Sequence, residues 1–428
     1  MRAGVDTALS NTSTQDFIMS ERELDIVIFG ATGFAGRLVA EYLAERHADT
    51  DVRWAMGGRN RKKLEAVRAE IAAKHPRAAE APLVVADSAD RASLDAMVAR
   101  TKVVCTTVGP YAKYGTELVA ACVAGGAHYC DLTGEPQFIR RMIDEHHADA
   151  VAAGVRIVHC CGFDSIPSDI GTFALQEELI ALDGEPADEA LFFLLGASGG
   201  FSGGTVASLI NVMQEANDPL VRKVLVNPYA LNPEDSRKGP KLPSPMSMRK
   251  DPVTGWWGAP FLMAPINERV VRRSHALMSA RFGEGFRYGE LTRTGKGMVG
   301  FASAAGMSGG MGAMMGLIAF PPTRKLLERF VLPAPGEGPS REAIEKGYFK
   351  VVISGRRDGK EVGRVEVRGK RDPGYGATAC MLGESALCLA LDPLDSPGGI
   401  VTPASAMGAH IRKRLDATDV QFTFTAAS

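Results

Sequence analysis

The sequence predicts an α/β protein: a doubly wound parallel sheet with an inserted α+β domain built on an antiparallel sheet. Three observations predict it. From Asp25 to about Ser168, apolar β-branched runs alternate with helix-length amphipathic segments. A glycine-rich turn, "GATGFAG" (30–36), joins the first run to the first helical pattern. Beyond Pro167 that rhythm breaks, and the later half carries a hairpin-like pattern, "YFKVVISGRRDGKEVGRVEVRGKRD".

The apolar runs are "DIVIFG", "VRWAMGG", "PLVVAD", "KVVCTTVG", "AHYCDLTG" and "VRIVHCCG". Between them lie "GRLVAEYLAER", "RKKLEAVRAEIAAKH", "RASLDAMVAR", "YGTELVAACVAGG" and "EPQFIRRMIDEHHADAVAAG". Parallel neighbours need a helical return, so this alternation reads as a Rossmann-type sheet. Near-continuous apolar strands suit a sheet covered on both faces. Past Pro167 the expected order is a helix ("SDIGTFALQEELIAL"), a strand ("EALFFLLGAS"), a helix ("GGTVASLINVMQEAND") and an irregular stretch over 219–260 that holds Trp256 and Trp257. In the hairpin, "RDG" marks the turn and "VGRVEVRGK" alternates as a half-wet strand does. The closing "GGIVTPASAMGAHIRKRL" reads as a helix packing back on the first domain.

At 428 residues two domains are expected. Residues 22–168 form the dinucleotide-binding domain, completed by 380–428. Residues 169–379 form the α+β substrate domain, with a glycine-rich apolar insert at 297–323, and 1–21 are a disordered leader. That leader is polar and shows no secretory signal, and Met19 is an alternative start. A formal net charge of −1 gives no basic surplus for nucleic acid. Seven cysteines without a CxxC pair read as reduced core residues of a cytoplasmic protein, with no metal role. From Gly297 to Thr323 no residue is charged over 27 positions. The length permits a membrane span, but seven glycines make a poor autonomous helix, so a lipid- or acyl-facing insert and ordinary buried packing stay open beside a span.

"GATGFAG" follows a strand and opens a helix, which is where a dinucleotide pyrophosphate is held. Gly30 permits the turn, Gly33 lets the backbone approach the phosphates and Gly36 permits close helix–strand contact. Gly30, Thr32, Gly33, Phe34 and Gly36 are therefore candidate cofactor contacts, with the helix start offering free N–H groups. The second strand ends in "GGRNRKK": Arg59 and Asn60 stand where an NAD site has a carboxylate, which favours the 2′-phosphate of NADPH. Solvated charges on the next helix are the alternative. Asp87, after the third strand, would flank the adenine.

With these residues in place, the chain resembles the saccharopine dehydrogenase-like oxidoreductases, and within them the branch of trans-acting enoyl reductases. The likeness rests on "IVIFGATGFAGRLVAEYLA", "TTVGPYAKYGTELVAACVAGGAHYCDLTGE", "CGFDSIPSDIG", "SGGTVAS", "APFLMAPINERVVRRSHAL", "GPSREAIEKGYF" and "GGIVTPASAMG", spread from about residue 22 to the end. It implies a split Rossmann domain with an inserted domain. It also implies NADPH-dependent reduction of a double bond in a polyketide-derived acyl chain, made for complex cell-envelope lipids such as phthiocerol waxes. The partners implied are an acyl thioester on a carrier domain or CoA and a polyketide synthase lacking its own reductase. A homo-oligomer is expected, and the cytoplasmic face of the membrane as a peripheral location. The uncharged stretch and "FLMAPI" do not suit an amino-diacid substrate.

In a doubly wound sheet, ligands lie at the carboxyl ends of the strands. The loop after the fourth strand offers Gly109 and Pro110 to the cofactor, with Tyr111 and Tyr114 near the nicotinamide side. The fifth offers Asp131, Thr133 and Glu135, and the sixth Asp164 and Ser165. Enoyl reduction needs charge stabilised on the thioester oxygen and a proton at the α-carbon. Tyr111 is the first candidate donor, with Ser165 and Tyr114 behind it; helix capping and loop bracing are the alternative roles for these loop residues. His159 reads as a core histidine. Arg269, Arg272 and Arg273 in "NERVVRRSHAL" suit phosphopantetheine or an acidic carrier domain, or else a wet strand edge. Trp256 and Trp257 line an acyl tunnel or pack in the core.

Overall fold

The computed structural model describes residues 22–199, 203–283, 285–330 and 338–427; the leader expected at 1–21 lies outside the described residues. The first strand, β1 (Leu24–Phe29), reads LDIVIF and is buried at every position, as a strand covered on both faces should be. It pairs in parallel with β2 (Trp54–Gly58) on one side and β4 (Thr101–Thr106) on the other. β3 (Leu83–Val85), β5 (His128–Cys130) and β6 (Arg156–Val158) extend the sheet. The seventh member, Gly399–Val401, comes from the far end of the chain and pairs with β6. The order from that strand inward is β6-β5-β4-β1-β2-β3, so the winding reverses between β1 and β4, which creates a crevice at their carboxyl ends.

A second seven-stranded sheet follows: β7 (Glu189–Ser198), β8 (Arg249–Lys250), β9 (Trp257–Ala259), β10 (Arg287–Gly295), β11 (Tyr348–Arg357) and β12 (Lys360–Lys370), with a last strand from Val420 to Ala426. Taking Gly399–Val401 as β13 and Val420–Ala426 as β14, its order is β14-β12-β11-β7-β10-β9-β8. Asp358 (φ 49°) and Gly359 (φ 74°) make the β11–β12 turn at the expected "RDG", the left-handed pair that matches the twist of a tight hairpin. β12 alternates between buried and exposed positions along its second half.

The direction of one strand pair and one boundary differ from expectation. The sheet is mixed rather than antiparallel, because β10 and β7 run parallel across the 199–286 excursion. And 380–428 does not belong wholly to the first domain, because β14 pairs with β12; its alternation (VQFTFTA) identifies a strand but not its partner. "NERVVRRSHAL" is a buried helix, Ala264–Leu277, not a strand edge. The uncharged stretch is also a helix, Gly297–Ala319, in which only Gly300, Ala304 and Ile318 are buried, so ordinary core packing does not describe it.

Helix Ile166–Asp183 joins the two halves, lying against β11, β12 and β14 and against helices Ala264–Leu277 and Pro403–Asp416. The joint is polar at its centre. Asp169 accepts from the Ser274 hydroxyl and from the Ala404 N–H. Asn267 accepts from Ser165 Oγ at 2.9 Å and donates to Glu290 at 3.0 Å, and Tyr288 donates to Glu290 at 2.7 Å. Burial pushes the Asp169 carboxyl up to about 7 and that of Glu290 up to about 8.

A raised folded-state pKa means that the folded protein binds more protons than the unfolded chain, so stability falls as pH rises from the ordinary glutamate range towards 8. Glu290→Gln, neutral at every pH, is expected to remove that component. Relative to the variant, the parent should lose roughly 2–4 kcal/mol between pH 5 and pH 8, because each pH unit separating the folded from the unfolded pKa counts for about 1.4 kcal/mol. Denaturant unfolding of both proteins across that range is the measurement, and parallel pH curves would refute the assignment.

Candidate functional site

A cavity of about 630 Å³ opens where the carboxyl ends of the first sheet meet the second. On the first-sheet side it is lined by Gly33 and Phe34 after β1, by Thr107 and Gly109 to Tyr111 after β4, by Leu132 to Gly134 after β5, and by Cys160 and Gly162 to Asp164 after β6. On the other side stand Leu194 and Ala197 of β7, helix Gly203–Glu215 through Ala207, Ser208 and Val212, and Phe261, Met263 and Ile266. Tyr375 and Thr378 close one end, with the Tyr375 ring edge-on to Phe34 at 4.6 Å.

The glycine turn is built as a cradle. Gly30 has φ +98°, and a Cβ there would meet the Thr107 hydroxyl at 2.8 Å. A Cβ on Gly36 would stand 2.2 Å from the Gly30 carbonyl oxygen, so any side chain there would push the helix off the turn. Gly33 is the N-cap of helix Phe34–Arg46, which has no side-chain cap and no acidic residue in its first turn. Its leading N–H groups therefore face the crevice unsatisfied, ready for an anion. Thr32 lies within the turn. Arg59 follows directly on β2 and is exposed. The Asn60 side chain accepts from the Lys63 N–H as the cap of helix Arg61–Ala72. Asp87, half-buried after β3, accepts from the Ala89 N–H.

The donor candidates separate. Tyr111 is buried and lines the cavity with its ring, while its hydroxyl donates to the Thr106 carbonyl (3.3 Å) and accepts from the Leu132 N–H (3.2 Å). Burial and the nearby Asp131 hold its phenol well above the usual tyrosine range. Ser165 is turned away towards Asn267, and Tyr114 is exposed; neither lines the cavity. Glu135 accepts from the N–H groups of Tyr111 (2.8 Å) and Ala112 (3.1 Å) and from Ser208, and so caps the turn that carries Tyr111. Asp131 is a hub: Tyr129 O–H, Thr133 N–H and Cys160 N–H donate to it, and His159 Nδ1 lies 2.7 Å away.

Two charged side chains line the cavity among the described residues, Asp164 and Arg269. Asp164 makes no hydrogen bond or ion pair among the described residues, and burial pushes its carboxyl up to about 6. Arg269 spends its guanidinium on the carbonyls of Leu225, Asn227 and Pro265 and has no ion pair among the described residues, with burial lowering it to about 10. Arg272 and Arg273 are not available to a ligand: one is buried against Glu268, the other against the carbonyls of Leu231 and Ile400. Trp256 packs on Phe193 and Trp257 on Phe301, and neither lines the cavity.

Comparison with known proteins agrees with this geometry. Residues 26–158 match the saccharopine dehydrogenase NADP-binding domain. A Mycobacterium tuberculosis protein named a putative trans-acting enoyl reductase is 43% identical over 420 residues, covering 94% of this chain and 98% of its own length. The chain belongs to the trans-acting enoyl reductase branch of the saccharopine dehydrogenase-like family. The trans-acting enoyl reductase of Mycobacterium bovis is 39% identical over 417 residues, covering 94% of this chain and 97% of its own. Saccharopine dehydrogenase of Saccharomyces cerevisiae aligns over 95% of this chain and all of its own, at 12% identity and a TM-score of 0.49.

This member of the family is an NADP-dependent oxidoreductase. The uncapped helix start beyond Gly33 and the close packing of Gly36 on the Gly30 carbonyl fit a dinucleotide-binding turn. Arg59→Asp should weaken NADPH binding by about 10- to 100-fold, the value of a charged hydrogen bond to phosphate, and bring NADH closer to parity. Titration of cofactor fluorescence against the variant reads this directly. An unchanged preference would remove Arg59 from the 2′-phosphate.

Proposed function

We propose that the protein reduces the carbon–carbon double bond of an enoyl thioester carrying a polyketide or fatty-acyl chain. The observation that supports it is the cavity wall: it is mostly apolar, with one carboxyl and one cation. An amino-diacid brings two carboxylates and an ammonium, so at least one carboxylate would be left facing Leu194, Phe261 and Ile266, at a cost of several kcal/mol (roughly) for an unpaired group. An acyl chain meets no such cost.

NADPH, when bound at the glycine turn, supplies a hydride to the β-carbon. The chain's own residues do the rest. Negative charge that develops on the thioester oxygen is drawn towards the Arg269 side, where a guanidinium held by carbonyls alone keeps its positive charge in a low-dielectric wall. The Asp164 carboxyl, with no competing donor, is raised by burial to about 6, and in its protonated form it delivers the proton to the α-carbon. Tyr111 keeps its hydroxyl on the backbone and shapes the floor on which the reacting atoms lie. The thioester comes from a carrier domain or CoA, and a polyketide synthase without its own reductase is the partner that the relatives' designation as trans-acting suggests.

The general test is loss of NADPH absorbance on addition of enoyl thioesters; tight NADPH binding without oxidation by any of them would refute the reading. For the donor, Asp164→Asn should lower kcat by about 100-fold or more, the range of a positioned general acid, with NADPH affinity unchanged. Because the acid form is the active one, kcat/KM of the parent should decline as pH rises through about 6, and the variant should lack that decline. A variant with parental kcat would return the proton to solvent.

A further inference from the structure

Among the described residues, two helices are long and apolar enough to cross a membrane, both with a mean hydropathy of 1.2, and they have opposite fates. Pro373–Leu391 is 83% buried inside the protein, as a core helix should be, whereas Gly297–Ala319 is 11% buried. Its packed face is narrow: Gly300, Ala304 and Ile318 fall on one side at helical spacing and seat it against β9, β10 and helix Gly203–Glu215. The rest faces outward, including Met298 at 79% and Val299 at 78% exposure, with Met314, Leu317 and Phe320. Continuing outward-facing apolar surface lies on the adjoining helix Pro321–Phe330, where Leu326 is exposed.

We propose that this helix is the surface by which the protein docks on an anionic lipid bilayer, lying in the interface rather than crossing it. Three observations choose lipid over other occupants. First, charge: residues 291–327 hold Arg293, Lys296, Arg324 and Lys325 and no acidic residue, in a chain whose formal net charge is −1. Exposed Lys296 and exposed Lys325 bracket the two ends of the apolar helix, the arrangement that anionic headgroups attract. Second, breadth: exposed Met298, Val299, Met307, Met314 and Leu317 spread around the outward side of the helix, a wider apolar band than the Gly306/Gly310 or Gly312/Gly316 seam that a single partner helix would cover, and a Cβ at any of those glycines would stand in open space. Third, the packed face fastens the helix along its flank to the second sheet, which holds it parallel to a surface. Helix Gly203–Glu215, which touches it, also lines the cavity through Ala207, Ser208 and Val212, so the docked face adjoins the ligand site.

The full chain should co-sediment with vesicles of equal parts phosphatidylcholine and phosphatidylglycerol. Val299→Glu with Leu317→Glu, two substitutions on one outward line of the helix, should lower that binding by at least about tenfold. Lys296→Glu with Lys325→Glu should lower it as well. NADPH affinity should be unchanged in both variants, since none of these side chains lines the cavity. Three results would overturn the proposal: a parent that stays in solution with these vesicles, a Val299→Glu/Leu317→Glu variant that binds as the parent does, or a parental dimer that the same substitutions dissociate. Vesicle binding is read without turnover, so its failure leaves the proposed reaction standing.

Discussion

The site depends on one buried carboxylate. Asp131 sits at the carboxyl end of β5 with no access to solvent and draws four groups to itself: the Tyr129 hydroxyl, the Thr133 and Cys160 amides and the His159 ring. A carboxylate so enclosed is tolerated only when its lone pairs are satisfied. The requirement therefore acts as a geometric constraint: the loops after β5 and β6 must converge on it. Leu132, held between them, donates its N–H to the Tyr111 hydroxyl, which brings the loop after β4 into the same knot. Glu135 repeats the device one turn later by taking the amides at 111 and 112. Each such charged hydrogen bond is worth about 1.5–3 kcal/mol, and removal of the acceptor strands several donors at once.

Fixed in this way, the strand ends form a polar floor, and the second sheet supplies an apolar roof. Leu194 and Ala197 come from β7, and Phe261 is stacked on Phe192 at 5.6 Å. The two halves keep their relation because helix Ile166–Asp183 leaves the floor directly after Asp164 and Ser165 and then lies across the roof sheet. The residue that faces the ligand and the helix that joins the halves are thus consecutive in sequence. Ser165, Ser168 and Asp169 serve the joint, and Asp164 alone of this group is left to the cavity.

The legible parts of the sequence were those whose physics is local. A glycine turn between a buried strand and a helix, a hairpin with a left-handed pair at its tip, and the alternation of "VGRVEVRGK" all act within a few residues. The parts misread depend on distant partners. Arg272 and Arg273 look solvent-bound because an arginine is rarely buried unless paired; Glu268 lies one turn from Arg272, but the carbonyls that complete their burial lie 16 to 127 positions away, at Tyr288, Leu231 and Ile400. β14 has the pattern of a strand, but nothing in it names β12. Ser165 and Tyr114 stood with Tyr111 as donor candidates because all three follow strand ends; burial against Asn267 and exposure to solvent separate them. Asp164 was visible as a loop acid, but only its isolation from donors raises its interest, and isolation cannot be read from a sequence.

The two charges on the cavity wall answer to burial by similar amounts but from very different starting points. Burial acts against both, moving Asp164 up to about 6 and Arg269 down to about 10. Near neutrality the arginine stays a cation while the aspartic acid stands close to its own titration. A ligand that fills the cavity expels water, which further favours the neutral acid, while three carbonyls continue to solvate the guanidinium. Occupancy by an apolar chain would thus turn an aspartate near its midpoint into a proton donor beside a retained positive charge. That pairing suits a reaction whose substrate gains an electron pair before it gains a proton. An anionic substrate in the same cavity would work against it, since its charge would hold the proton on Asp164 rather than let it leave. The wall is therefore selective twice, once by its apolar area and once because the same burial brings its acid close to titration near neutrality while its guanidinium stays charged.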